Sequence, residues 1–86
     1  MNPYQVIIHP VSTEKAIRMM ESQNKLVFVV DKKSTKSEIK NAFQELFKVK
    51  VLDVHTYVSP KGKKKAYIRL SPETPALDVA TQLGLM

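Results

Sequence analysis

The amino-acid sequence predicts an α+β domain in which one small sheet carries helices packed against it. Three observations lead there. Short stretches with unbroken or period-two apolar character alternate along the chain with stretches of helical periodicity, the pattern of strands and helices that share one core. The chain has 86 residues, enough for one core and too few for a second, so residues 1–86 are read as a single domain. The apolar fraction of 43% is that of an ordinary globular chain rather than a disordered one. No repeat, low-complexity tract or linker interrupts it.

Val6-Ile7-Ile8 is a short strand candidate, ended by Pro10, which has no amide to give a ladder. Ser12 then offers an N-cap hydroxyl to a short helix with Ala16, Ile17 and Met20 on one face. That helix is expected to finish near Glu21, with Ser22-Gln23-Asn24 as a polar turn, and Met19-Met20 reads as core filling. Residues 25–31, KLVFVVD, are apolar on both alternations, which suits a central strand covered on both faces. Thr35-Lys36-Ser37-Glu38 spells a capping box, the Thr35 hydroxyl and the Glu38 carboxylate each satisfying an amide of the other. Ile39, Ala42, Phe43, Leu46 and Phe47 follow as one buried stripe. Residues 49–58 are a β-branched run bounded by Ser59-Pro60. They lead through a lysine-rich turn to residues 65–70, where Ala66, Ile68 and Leu70 alternate with Lys65, Tyr67 and Arg69. This pair reads as a hairpin. Thr74 is the expected N-cap of the last helix, with Pro75 at its first position. Ala76, Val79, Ala80 and Leu83 make its stripe, and Gly84 stands where a C-terminal cap belongs. The order is strand, helix, strand, helix, strand, strand, helix.

Charge points to the partner. The formal net charge is +6, yet residues 71–86 hold Glu73 and Asp78 without any Lys or Arg, so residues 1–70 carry +8. A basic body of this kind calls for a polyanion, nucleic acid first and a membrane surface second. Twelve of the fourteen cations are Lys, which favours phosphate contact over bidentate reading of bases by Arg. Lys61, Lys63, Lys64 and Lys65 crowd around Gly62 at the hairpin tip with no acidic neighbour in sequence. One or two lysines protect an edge strand. Four repel one another without benefit unless an anion arrives, and release of about one counterion per phosphate neutralised supplies the free energy. Lys32, Lys33, Lys36 and Lys40 form a second group, partly on the first turns of the capped helix. There they oppose the macrodipole, and Lys36 with the free amides could hold a phosphate. Tyr57 and Tyr67 flank the tip on paired strands, placed either to pack the sheet or to stack on unpaired bases.

Other chemistries are set aside. Without cysteine there is no thiolate metal site, in keeping with a reducing compartment. His9 and His55 are the only histidines and lack metal-ligand spacing. Two glycines cannot build a phosphate cradle, and no nucleophile elbow occurs. No enzyme activity and no cofactor are expected. No secretion signal and no apolar run near the ~20 residues of a membrane span appear, so a cytosolic protein, monomeric when free, is expected.

The segments HPVSTEKA at 9–16, NKLVFVVD at 24–31, TKSEIKNAFQELFKVKV at 35–51 and PKGKKKAYIRL at 60–70 together resemble the L-twenty-three family of large-subunit ribosomal proteins, over nearly the whole chain. The resemblance implies an α+β fold with a small, mainly antiparallel four-stranded sheet. It implies binding to large-subunit rRNA beside the exit of the peptide tunnel, among neighbouring ribosomal proteins, and a docking surface for the signal recognition particle. The family's docking glutamate corresponds to Glu14, with Val11, Ser12 and Thr13 beside it. The long tunnel extension of bacterial members is replaced here by Pro60-Lys61-Gly62-Lys63, which argues against contact with the nascent peptide. That short loop and the DVATQLGLM ending look archaeal. The expected RNA contacts are then His9, Lys15, Lys32, Lys33, Thr35, Lys36, Lys40, Lys61, Lys63, Lys64 and Lys65. A free-standing single-strand RNA-binding module is the alternative, and an adaptor basic only for solubility a further one.

Overall fold

A computed structural model describes residues 3–83. Helix α1 is a single turn, Pro3–Val6, followed by strand β1 (Ile7–Pro10), helix α2 (Glu14–Gln23), strand β2 (Lys25–Val30) and helix α3 (Lys36–Phe47). Strands β3 (Val51–Val58) and β4 (Lys64–Leu70) form the hairpin, and helix α4 (Ala76–Gln82) closes the chain. The sheet has four strands in the order β1-β2-β4-β3, every neighbouring pair antiparallel. This is the α+β architecture expected. The chain leaves β2, crosses in α3 and returns as β3 on the far side of β4, so β2 and β3 run parallel without touching.

One face of the sheet makes the core. Leu26, Phe28 and Val30 of β2, Ala66, Ile68 and Leu70 of β4, and Val51 and Val54 of β3 meet Ile39, Ala42 and Phe43 of α3 and Ala76, Val79 and Ala80 of α4. Phe28, Phe43 and Phe47 supply its aromatic centre, with ring centroids 5.3 Å apart for Phe28–Phe43 and 4.5 Å for Phe43–Phe47, within the favourable range for offset and edge-on pairs. The capping box stands as read: the Thr35 Oγ1 accepts from the Glu38 amide and the Glu38 carboxylate accepts from the Thr35 amide.

Local expectations are corrected at several points. Val6 is buried but belongs to the α1 turn, and the strand starts at Ile7. A bulge between Ile7 and His9 turns Ile8 outward, leaving it 56% exposed. The N-cap of α2 is Thr13, whose hydroxyl accepts from the Ala16 amide at 3.2 Å, rather than Ser12. The Val11 amide is still bonded to the Val27 carbonyl at 2.9 Å, which keeps the chain extended past Ser12. Met20 lies in the core, whereas Met19 is only half-buried. The third strand starts at Val51, because Lys48 ends α3 in the left-handed conformation, φ 55°. Strand β2 is an inner strand buried on both alternations from Leu26 to Val30, as read, with Lys25 half-buried; α3 and α4 cover its Leu26–Phe28–Val30 face. Val27 and Val29 on the other face are buried too, Val27 beside Ala16 and Met19 of α2.

The last helix is capped from afar. Pro75 occupies the N-cap position and supplies no side-chain bond, so Thr74 does not play the role its sequence position suggests. Asn24 plays it: its Oδ1 accepts from the Ala76 amide at 2.6 Å. Its Nδ2 shares two protons among the carbonyls of Leu70, Ser71 and Thr74 at 3.1, 3.2 and 3.2 Å. Asn24 itself ends α2 with φ 55°, the left-handed region that asparagine tolerates better than most residues. One side chain thus ties the end of α2, the end of β4 and the start of α4. The cap expected at Gly84 lies outside the described residues.

Candidate nucleic-acid interface

The hairpin tip is a tight turn in which the Gly62 amide donates to the Ser59 carbonyl at 2.9 Å and the Ser59 amide to the Lys63 carbonyl at 2.7 Å. Gly62 has φ +84°, a conformation open to glycine at little cost. Its bare α-carbon has a second use. A Cβ there would stand 3.0 Å from the Lys32 Nζ and 3.3 Å from its Cε, so the Lys32 side chain lies directly over the turn. The two basic groups read from the sequence therefore meet at one point, with Lys32 of the β2–α3 turn beside exposed Lys61 and Lys63 of the tip, and exposed Lys33 following Lys32 in the chain. Gly62→Ala is expected to cost about 1 kcal/mol from the left-handed backbone alone and to displace Lys32; a denaturant titration measures the first effect.

Lys64 behaves differently from its neighbours. Instead of splaying into solvent, its Nζ donates to the Ser34 carbonyl at 2.6 Å. Ser34 is buried and is held in turn by the Asp31 carbonyl. Lys64 is thus a strut between tip and turn. Among the described residues the ion pairs are Arg18–Glu14 and His55–Asp53, so none of the clustered lysines has a carboxylate within pairing distance there.

Lys36 is exposed and Lys40 half-buried on α3. A phosphate held by amides at the start of this helix does not fit what is there. Thr35 Oγ1 already takes the Glu38 amide, and an anion would meet the Glu38 carboxylate. Thr35 serves the helix.

His9, Lys15 and Lys65 lie elsewhere, by the face of the sheet opposite the core. Cross-strand partners share a face, and the register sets Val29 opposite both His9 and Lys65, Lys65 opposite Tyr57, Val27 opposite Tyr67, and Tyr67 opposite His55. Arg69 pairs with Lys25 on one side and Asp53 on the other. Lys15 of α2 borders this face, lining a cleft of about 140 Å³ with Val11, Thr13, Met19, Lys65 and Tyr67. Partial desolvation pushes the Asp53 carboxyl up, but the hydrogen bond from His55 at 2.7 Å and its charge, with smaller help from the Val54 amide and Lys36, hold it below the ordinary carboxylate range. Sequence reading set Arg69 on the alternation of Lys65 and Tyr67 but gave no binding role to it, to Lys25 or to His55. The period-two alternation of residues 53–57 and 65–69 carried the signal.

The Val11–Glu14 surface is compact and separate from the tip. Ser12 and Glu14 are exposed, Thr13 caps the helix, and Glu14 pairs with Arg18 at 2.6 Å with both side chains largely in solvent. Glu14 also sits in the first turn, where a carboxylate suits the helix dipole.

No helix of the described residues is long and apolar enough to cross a membrane. Comparison with known proteins gives a consistent result. The sequence pattern of the ribosomal protein L23 family matches residues 5–77. The large ribosomal subunit protein uL23 of Methanococcus aeolicus is 51% identical over 85 residues, which make up 99% of each chain. That of Methanothermobacter thermautotrophicus is 49% identical over the same span and share.

Proposed function

This chain belongs to the ribosomal protein L23 family, and from that premise we propose that it is a non-catalytic constituent of the large ribosomal subunit in the cytoplasm, bound to large-subunit rRNA beside the exit of the peptide tunnel. The observation that carries rRNA binding is the convergence of Lys32 with Lys61 and Lys63, with no carboxylate near enough to pair among the described residues. Lysine ammonium groups neutralise phosphates without reading sequence, which is what attachment to a fixed site in a folded RNA requires. The names of the archaeal relatives and the family membership support the choice of RNA.

The Val11–Glu14 surface is the docking site for the signal recognition particle in this reading, with Glu14 as its exposed charge. Ser12, Thr13 and Glu14 are exposed and the surface shares no residue with the lysine patch, while Val11 and Thr13 also line the cleft beside Tyr67. Co-sedimentation of the chain with large subunits from a cell lysate tests the first half; a chain that stays in the supernatant overturns it. Glu14→Ala tests the second. An exposed ion pair such as Glu14–Arg18 contributes about 1 kcal/mol or less, so the folding equilibrium is expected to change by about fivefold or less and rRNA affinity to stay within about twofold. Association of ribosome-bound protein with the particle is expected to fall about tenfold. Equal losses in both assays would make Glu14 a structural residue.

A further inference from the structure

The face of the sheet opposite the core is bordered by α2 and buries Val27 and Val29, but its other positions hold residue types that stability does not explain. Side by side in the register are Tyr57 and Lys65, His55 and Tyr67, and Asp53, Arg69 and Lys25. Tyr57 is 52% exposed, and it and Tyr67 are diagonal neighbours on adjoining strands. The stripes of α3 and α4 are spent on the other side, where Leu26, Phe28, Ala66, Ile68 and Leu70 meet them. Charge here is one-sided. The strand positions of this face hold Lys25, Lys65 and Arg69 against one acid, Asp53, whose carboxylate is already engaged by His55, and Lys15 borders them. The cleft between α2 and β4 is lined by Tyr67, by Lys15 and Lys65, by Thr13, and by the apolar Val11, Ala16, Met19 and Val27. At about 140 Å³ it is of the order of space that admits one flat ring.

A flat ring between an aromatic side chain and apolar walls, with cations beside it, describes an unpaired nucleotide. A duplex offers no free base face to a tyrosine, whereas loops and bulges do. We propose that this face is a base-stacking surface. An unpaired base of the bound rRNA enters the α2–β4 cleft and stacks on Tyr67, a neighbouring base lies on Tyr57, and Lys15, Lys65 and Arg69 meet the flanking phosphates. The inference rests on the rRNA-binding reading and deepens it: the lysine patch grips backbone, and the tyrosine face selects a single-stranded element.

The test uses the full chain and deproteinised archaeal large-subunit rRNA, with affinity measured from about 50 to about 200 mM salt. A Tyr57→Leu/Tyr67→Leu double variant is expected to lose on the order of tenfold or more in affinity at every salt concentration, with the salt slope unchanged because no cation is removed. Tyr57→Phe/Tyr67→Phe keeps the rings and is expected to bind as the wild type does. Ultraviolet cross-linking of the wild-type complex is expected to attach RNA to a peptide carrying Tyr57 or Tyr67, a readout independent of whether the leucine variant folds. Wild-type affinity in the double leucine variant, or cross-links confined to the hairpin tip and α3, would overturn the proposal and give this face to a protein neighbour, while salt-dependent wild-type binding would leave the rRNA reading standing. A wild-type chain without salt-dependent binding would remove both.

Discussion

Asn24→Ala is expected to lower the melting temperature by about 15–20 °C, corresponding to a loss of about 3 kcal/mol in a domain of this size. Three effects add. The Ala76 amide loses the Oδ1 that caps α4, worth about 1 kcal/mol for a helix N-cap. The carbonyls of Leu70, Ser71 and Thr74 lose their shared donor in a half-buried setting, worth about 1 kcal/mol more. Alanine is then held at φ 55°, where its Cβ costs roughly 1 kcal/mol. Thermal denaturation followed by circular dichroism measures the sum. Asn24→Gly separates the parts, since it removes the side-chain bonds and relieves the backbone; it should melt several degrees above Asn24→Ala. A variant with alanine that melts within about 3 °C of the wild type would mean that water replaces the asparagine amide at no cost.

The second large effect concerns RNA. Replacing Lys32, Lys61 and Lys63 together by glutamine is expected to flatten the dependence of rRNA affinity on salt by about three units of logarithmic slope, one for each phosphate that no longer meets an ammonium group. At about 50 mM salt this corresponds to a roughly 10²- to 10³-fold fall in affinity that narrows as salt rises. The three are chosen because they converge. Lys64 is left in place because its bond to the Ser34 carbonyl belongs to the fold, and changing it would mix stability with binding. Filter binding over a salt series distinguishes the outcomes: a parallel line displaced downward would assign these lysines to shape rather than phosphate neutralisation, and an unmoved line would take the patch out of the interface.

Strong local signals in the sequence match the fold closely. The Thr35–Glu38 box starts α3 where its spacing says, since both partners of each bond lie within four residues. The Ile39–Phe43 stripe is buried, and the alternation at 65–70 sorts Ala66, Ile68 and Leu70 inward. Where two residues compete for one role, neighbours decide. Ser12 and Thr13 are equally good caps, and the choice between them rests on the Val11 amide reaching back to β2. Thr74 loses its role to Asn24, about fifty residues upstream, because only the folded chain brings that side chain to Ala76. The candidate site divides in the same way. The sequence names the lysines, while nothing local says that Lys32 lies over Gly62, that Lys64 turns inward, or that His9, Lys15 and Lys65 gather around a different face from Lys61.

The strut from Lys64 to Ser34 has a consequence for assembly. Because it fastens the hairpin tip to the turn before α3, and the Lys32 stem rests on Gly62, the spacing of the outer ammonium groups is set before any nucleic acid arrives. A swinging loop would forfeit roughly 0.5–1.5 kcal/mol for each long side chain frozen on binding. On the rRNA-binding reading, a tip braced to the turn before α3 surrenders less of that ordering cost.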